Sequence, residues 1–133
     1  MTTHLPPFWR EHLIAVLGGH ADVEKLRFLA AWQRSEGGAA AWNPLNTTFD
    51  LPGATLYNTD PGVKNYSRPV WGVCATALTL TDPASGPLTY PKLLGHLQSA
   101  AGTYTAEQIV ADCDAELRHW GSDPALISAV LAS

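Results

Sequence analysis

A mainly α fold carrying a small β-hairpin insertion, α+β in class, is what this chain predicts, and three observations carry it. Apolar residues recur at helical spacing on either side of residues 39–67. Several of those stretches open at Asp, Thr or Pro, and two of them close at a glycine pair. Between residues 39 and 67 the period is lost, and Asn, Thr, Pro and Gly punctuate short apolar pieces. The 133 residues form one domain, with helices over 1–38, a β flap over 39–67 and a helical remainder over 68–133.

Pro6-Pro7 opens the first helix, Phe8 to Leu17, which Gly18-Gly19 closes. Phe8, Leu13, Val16 and Leu17 form its expected buried face, widened by Trp9 and Ile14. A second helix runs from the N-cap Asp22 to Glu36 and stops at Gly37-Gly38. In the flap, Leu51-Pro52-Gly53 and Asp60-Pro61-Gly62 are turn signals between apolar pieces. That spacing predicts a hairpin or three-stranded flap, with Thr47–Phe49, Ala54–Tyr57 and Val63–Tyr66 as the pieces.

Arg68-Pro69 starts a third helix reaching Leu80. It is apolar on nearly every side and is the expected central buried helix. Residues 82–87 form a loop. Thr89 is the expected cap of a helix from Tyr90 to Ser99, with Leu93, Leu94 and Leu97 inward. Thr105 caps a helix expected to run unbroken from Ala106 to Trp120, with Glu107 near its positive end. Asp123-Pro124 starts a last apolar helix, expected to serve as core ahead of a subunit contact.

A hydrophobic content of 46% excludes a disordered chain, and a net charge of −4 gives no basic footprint for nucleic acid. No stretch approaches the ~20 apolar residues of a membrane span. Residues 1–10 lack the layout of a signal peptide, so synthesis in the cytoplasm is expected, with Cys74 and Cys113 free. Five tryptophans exceed what so small a core needs, which places some of them at a surface or in a groove. No metal is expected: His4, His12 and His20 do not converge, and neither Cys-x-x-Cys nor His-x-x-x-His occurs. No glycine-rich phosphate loop or other cofactor motif is present. Cys74 with His96 or His119 would make a nucleophile and base, but Cys74 falls in the most apolar helix, where a thiol is inert packing.

Glu36 is the residue with chemical promise. A carboxyl in the last turn of a helix faces the negative end of the macrodipole, which disfavours its ionised form. Phe28 and Trp32 share its stripe, and an apolar ledge there would further favour the protonated acid that general-acid catalysis needs. Facing it across the flap stand Trp42, Asn43, Asn46, Thr47, Thr48, Tyr57, Asn58, Asn65 and Tyr66. Such neutral amides and hydroxyls mixed with aromatic faces suit a polysaccharide, although Asn and Thr also occur in turns for local reasons. Asp50 is a possible second carboxylate, ahead of Asp60, and each stands at a turn.

The Glu36-Gly37-Gly38 helix end, Asn43-Pro44-Leu45-Asn46-Thr47-Thr48, Gly62-Val63-Lys64-Asn65-Tyr66, the Trp71–Leu80 run and Tyr90-Pro91-Lys92-Leu93-Leu94 resemble lysozyme-like domains of actinobacterial phages and prophages. More distantly, the helix-Glu-Gly-Gly element is similar to that of soluble lytic transglycosylases and goose-type lysozymes. The resemblance spans roughly residues 26–97, and Thr59-Asp60-Pro61 stands as an insertion against it. It implies a lysozyme-like fold, cleavage of peptidoglycan glycan strands and Glu36 as the catalytic acid. It also implies action at the bacterial cell wall, as an endolysin or virion-associated lysin. The superfamily includes enzymes working with one Glu, so no carboxylate pair is required. The acidic charge and the lack of a clear second carboxylate leave a different class open, a non-catalytic peptidoglycan-binding or virion structural protein.

Overall fold

The computed structural model describes residues 5–82 and 88–133. Most of the loop expected over 82–87, and His4, therefore lie outside the described residues. Among the described residues there are seven helices and one two-stranded sheet. The helices are α1 (Trp9–Val16), α2 (Val23–Glu36), α3 (Pro69–Thr81), α4 (Pro91–Gln98), α5 (Ala106–Asp112), α6 (Asp114–Trp120) and α7 (Pro124–Ala132). The strands are β1 (Thr55–Leu56) and β2 (Lys64–Asn65), an antiparallel hairpin pairing Thr55 with Asn65 and Leu56 with Lys64. The mainly α class with a hairpin insertion is thus observed. Thr47–Phe49 does not form a third strand, although Lys64 N–H donates to Thr47 O at 3.3 Å.

The core is organised by α2, against the expectation for α3. Phe28, Leu29 and Trp32 are fully buried, and α2 packs most extensively on α7, with α5 and α1 alongside. Helix α3 buries Gly72, Val73, Ala75, Thr76, Ala77 and Leu80 on one face but leaves Val70 and Leu78 in solvent. Its apolar sequence is a poor guide to its place because its small residues allow close approach. A Cβ added at Gly72 would lie 1.4 Å from the carbonyl oxygen of Trp42, so only glycine lets α3 meet the start of the flap.

Three further expectations are corrected. Helix α1 begins at Trp9, with Phe8 as a left-handed N-cap, so its inward stripe is Trp9, Leu13, Ile14 and Leu17, and Phe8 and Val16 are exposed. Helix α4 is not capped by Thr89. The Glu116 carboxylate of α6 accepts from the first-turn N–H groups of Lys92 and Leu93 at 2.9 and 2.8 Å. The single helix expected over 106–120 is broken at Cys113, whose backbone leaves helical geometry. The Thr105 cap is present as a reciprocal capping box with Gln108. In α7, Ile127 is fully buried and Leu126 is exposed.

Candidate active site around Glu36

The end of α2 forms as its residues dictate. Asp22 accepts from Lys25 N–H at 2.8 Å at the N-terminus, and Gly37, at φ 58°, donates to Gln33 O at the C-terminus. The two glycines do different work. Gly37 supplies the left-handed turn, while a Cβ at Gly38 would lie 2.2 Å from Asn46 Oδ1. The missing side chain at Gly38 lets Asn46 fold back onto the helix end. Asn46, itself left-handed at φ 58°, donates through Nδ2 to Glu36 Oε1 at 3.1 Å.

The other carboxylate oxygen is met from the far end of the chain. Ser122 follows Gly121, the left-handed C-cap of α6. Its hydroxyl donates to Glu36 Oε2 at 2.5 Å and accepts from the Trp32 indole N–H at 2.8 Å. Because Trp32 is donor-only, the hydroxyl proton is directed at the carboxylate. Both oxygens of half-buried Glu36 therefore accept hydrogen bonds. Trp32 does not simply desolvate Glu36, as its place on the same stripe suggests, but reaches it as the start of a polar relay. Phe28 backs Trp32 at a ring separation of 5.6 Å.

Beyond Asn46 lies a pocket of about 250 Å³. Its flap side is Asn46, Thr47, Thr48 and Pro61, and its helical side is Thr79, Tyr90, His119 and Trp120. Glu36 is joined to this pocket through Asn46 instead of forming part of its wall. Trp120 is the pivot. Its ring lies edge-to-face on Trp32 and on Tyr90, each at 5.1 Å, and its indole N–H donates to Leu45 O at 2.8 Å. Burial, with the nearby Glu116 charge, pushes the Tyr90 phenol up, so it stays a neutral donor and acceptor.

The expected sugar-binding residues divide into two groups. Asn46, Thr47 and Thr48 reach the pocket, although the Thr47 hydroxyl is already paired with Thr79 at 2.5 Å. Asn43 is buried and closed on backbone, donating to Thr47 O and Lys64 O and accepting from Thr47 N–H. Asn58 accepts from Gly62 and Val63 N–H, and Asn65 accepts from Ala41 N–H. Tyr66 is buried, its hydroxyl donates to Phe49 O, and burial followed by the Asp50 charge pushes its phenol up. Tyr57 is exposed and Trp42 is half-buried at φ 56°; neither is among the residues lining the pocket.

Asp50 is largely exposed and stands 3.7 Å from Lys64 Nζ. Asp60, on the exposed edge of the flap, precedes a cis proline. Tyr90, Trp120, His119 and Ser122 are the pocket and relay residues that sequence reasoning missed. For Trp120 the signal was the surplus of tryptophan. The Cys74 thiol is free and lines an apolar groove with Val16, Leu17, Ala77, Leu78 and Thr81, and no histidine is among these described lining residues. Among the described residues no helix is long and apolar enough to cross a membrane. No protein-family model, curated protein or solved structure matches this chain.

Proposed function

We propose that this protein cleaves peptidoglycan glycan strands, as a lysozyme or lytic transglycosylase on a lysozyme-like scaffold, with Glu36 as general acid. The observation that carries the reading is the placement of Glu36 at the end of α2. A carboxyl fixed by Asn46 and Ser122 stands beside a pocket whose far side is Tyr90, His119 and Trp120. Carbohydrate recognition needs flat apolar faces and short neutral hydrogen-bonding groups, and this pocket combines the two. At about 250 Å³ it is smaller than the ~300–1,000 Å³ that encloses a drug-sized ligand, which suits one ring of a longer chain.

In this reading the Glu36 proton passes to the glycosidic oxygen between N-acetylmuramic acid and N-acetylglucosamine, and the C1–O bond breaks with its electrons leaving on that oxygen. The positive charge developing at C1 is met by the substrate's own acetamido group. It is then captured by water, giving a reducing end, or by the 6-hydroxyl, giving an anhydro product. Glu36, now a carboxylate, takes up the proton released in that step. Asn46 and Ser122 hold the carboxyl in one orientation through the cycle.

A second reading has its own observation. Both Glu36 oxygens already accept hydrogen bonds, and Asp50 faces Lys64 and solvent, so a glycan-binding or virion structural protein uses the same pocket without cleavage. Digestion of purified actinobacterial walls separates the two. Cleavage predicts muropeptides with reducing or anhydro ends from the wild type and none from folded Glu36→Gln. Undiminished release by that variant overturns the role of Glu36. Wall binding with no release between pH 4 and pH 8 selects the second reading.

A further inference from the structure

A second cluster lies at the junction of α4, α5 and α6. His96 in the last turn of α4, Asp112 closing α5 and Cys113 at the break before α6 bring a ring nitrogen, a carboxylate oxygen and a sulfur within 4.8 Å of one another. We propose that these three side chains form a Zn²⁺ site whose remaining position opens to water.

The break at Cys113 makes the cluster possible. Successive residues of a regular helix point about 100° apart, yet Asp112 and Cys113 both deliver a donor atom to His96. Asp112 is half in solvent, whereas His96 and Cys113 are buried, so the set spans the boundary an entering ion would cross. A cavity of about 280 Å³ leads there, lined by Lys92, Tyr104 and Ser99 together with His96 and Asp112. His96 is 6% exposed, yet its Nδ1 has no hydrogen-bond partner among the described residues, while Nε2 meets Asp112 Oδ2 at 2.5 Å. The Tyr104 ring, edge-on at 4.3 Å, fixes the imidazole plane.

Thiolate, imidazole and a single carboxylate form a donor set suited to zinc, as against the all-oxygen sets of magnesium and calcium. Tetrahedral Zn²⁺, with bonds of ~2.0–2.3 Å, needs donor atoms about 3.5 Å apart, so His96 Nε2 and Asp112 Oδ2, now 2.5 Å apart, must part by about 1 Å while the widest separation, up to 4.8 Å, closes by about as much. The exposed Asp112 side chain can supply that movement. Binding converts the Cys113 thiol to a thiolate and releases its proton to solvent. Lys92 Nζ, 3.7 Å from Asp112 Oδ1, opposes the cation and must swing outward, which its exposed side chain permits.

Co²⁺ is the probe, because a cobalt–thiolate bond gives a near-ultraviolet charge-transfer band and tetrahedral cobalt a visible one. Titration of the full chain is expected to give both bands at one equivalent, to be reversed by Zn²⁺ and to be unchanged in Cys74→Ser. Cys113→Ser should remove the thiolate band. Asp112→Asn should weaken binding about tenfold or more, and Lys92→Ala should tighten it about fivefold. These last two positions are exposed, so they decide the matter even where Cys113→Ser does not fold. A wild type with no thiolate band, a band lost in Cys74→Ser or kept in folded Cys113→Ser, or no affinity change in both Asp112→Asn and Lys92→Ala overturns the site.

Discussion

Between Thr47 and Tyr66 the polar side chains mostly close on their own segment, whereas those around Glu36 close across the chain. Asn58 serves Gly62 and Val63, four and five residues away, and Tyr66 returns to Phe49. Ser122 instead meets Glu36 across 86 positions of sequence, Trp32 meets Ser122 across 90, and Trp120 meets Leu45 across 75. The flap's amides thus hold an irregular segment in shape where two two-residue strands offer few ladder bonds. The groups around Glu36 join the end of α2 to the α6–α7 link and leave a pocket beside it. Most of the Asn and Thr of the flap hold its shape, and the distant residues that converge on Glu36 form the candidate site.

The largest effect falls where α3 meets the start of the flap. Gly72→Ala drives a Cβ into the Trp42 carbonyl, a backbone group that cannot rotate away, and should destabilise by about 3 kcal/mol or more. Urea unfolding measures it, and a change under 1 kcal/mol would show that α3 and the flap slide apart freely.

Next comes a matched pair. Ser122→Ala leaves the buried Trp32 N–H without its acceptor and should cost about 1–3 kcal/mol, whereas Asn58→Ala opens a half-exposed turn and should cost about 1 kcal/mol. Ser122→Ala should also lower glycan cleavage and Asn58→Ala should not. The reverse order of losses, in stability and in activity, breaks the contrast between the regions.

Asp22 works both locally and across the chain, accepting from Lys25 N–H and from Gly102 N–H at 2.9 Å. Desolvation pushes its carboxyl up, but the bonds from Lys25 and Gly102 and the Lys25 charge outweigh it and hold it below the usual value. Its ionised form is therefore favoured in the folded chain, and its contribution is present above the unfolded value and lost as pH falls through the lowered folded one. Asp22→Ala should cost about 1 kcal/mol at pH 7. The gap in unfolding midpoint should narrow towards pH 3, and a gap that widens on acidification contradicts the assignment. Smallest is Asp50→Asn, expected within about 0.5 kcal/mol in stability and with cleavage unchanged, since its carboxylate is exposed. Lost cleavage there would restore Asp50 as a second catalytic group.

Much of the frame was legible in the sequence because it is local. The Asp22 cap, the Gly37 stop behind Glu36 and the Thr105 cap need only neighbours within a turn. What was not legible depends on tertiary contact. Helix α4 has no side-chain cap of its own because Glu116 arrives from α6. The inward stripe of α1 keeps Trp9, Leu13, Ile14 and Leu17 but loses Phe8, which stands outside the helix as its N-cap, and Val16, which faces solvent. At the candidate site, Glu36 and Asn46 could be read from the chain, but Ser122, Tyr90, His119 and Trp120 could not. Nothing near them in sequence marks a residue that faces a helix end so far away. The His96–Asp112–Cys113 cluster escaped for the same reason, since metal-ligand spacing in sequence finds only donors held on one short segment.

The central claim is that Glu36 and the pocket of Trp120 form one glycan site. The indole N–H signals of the five tryptophans test it most directly, in the Glu36→Gln variant titrated with a soluble oligomer of alternating N-acetylglucosamine and N-acetylmuramic acid. The signals of Trp120 and Trp32, which report on Leu45 and on the Ser122–Glu36 relay, should shift together and saturate, with those of Trp9 and Trp71 unmoved. Saturable shifts confined to Trp9 or Trp71, or no shift in any indole at millimolar ligand, would contradict the account.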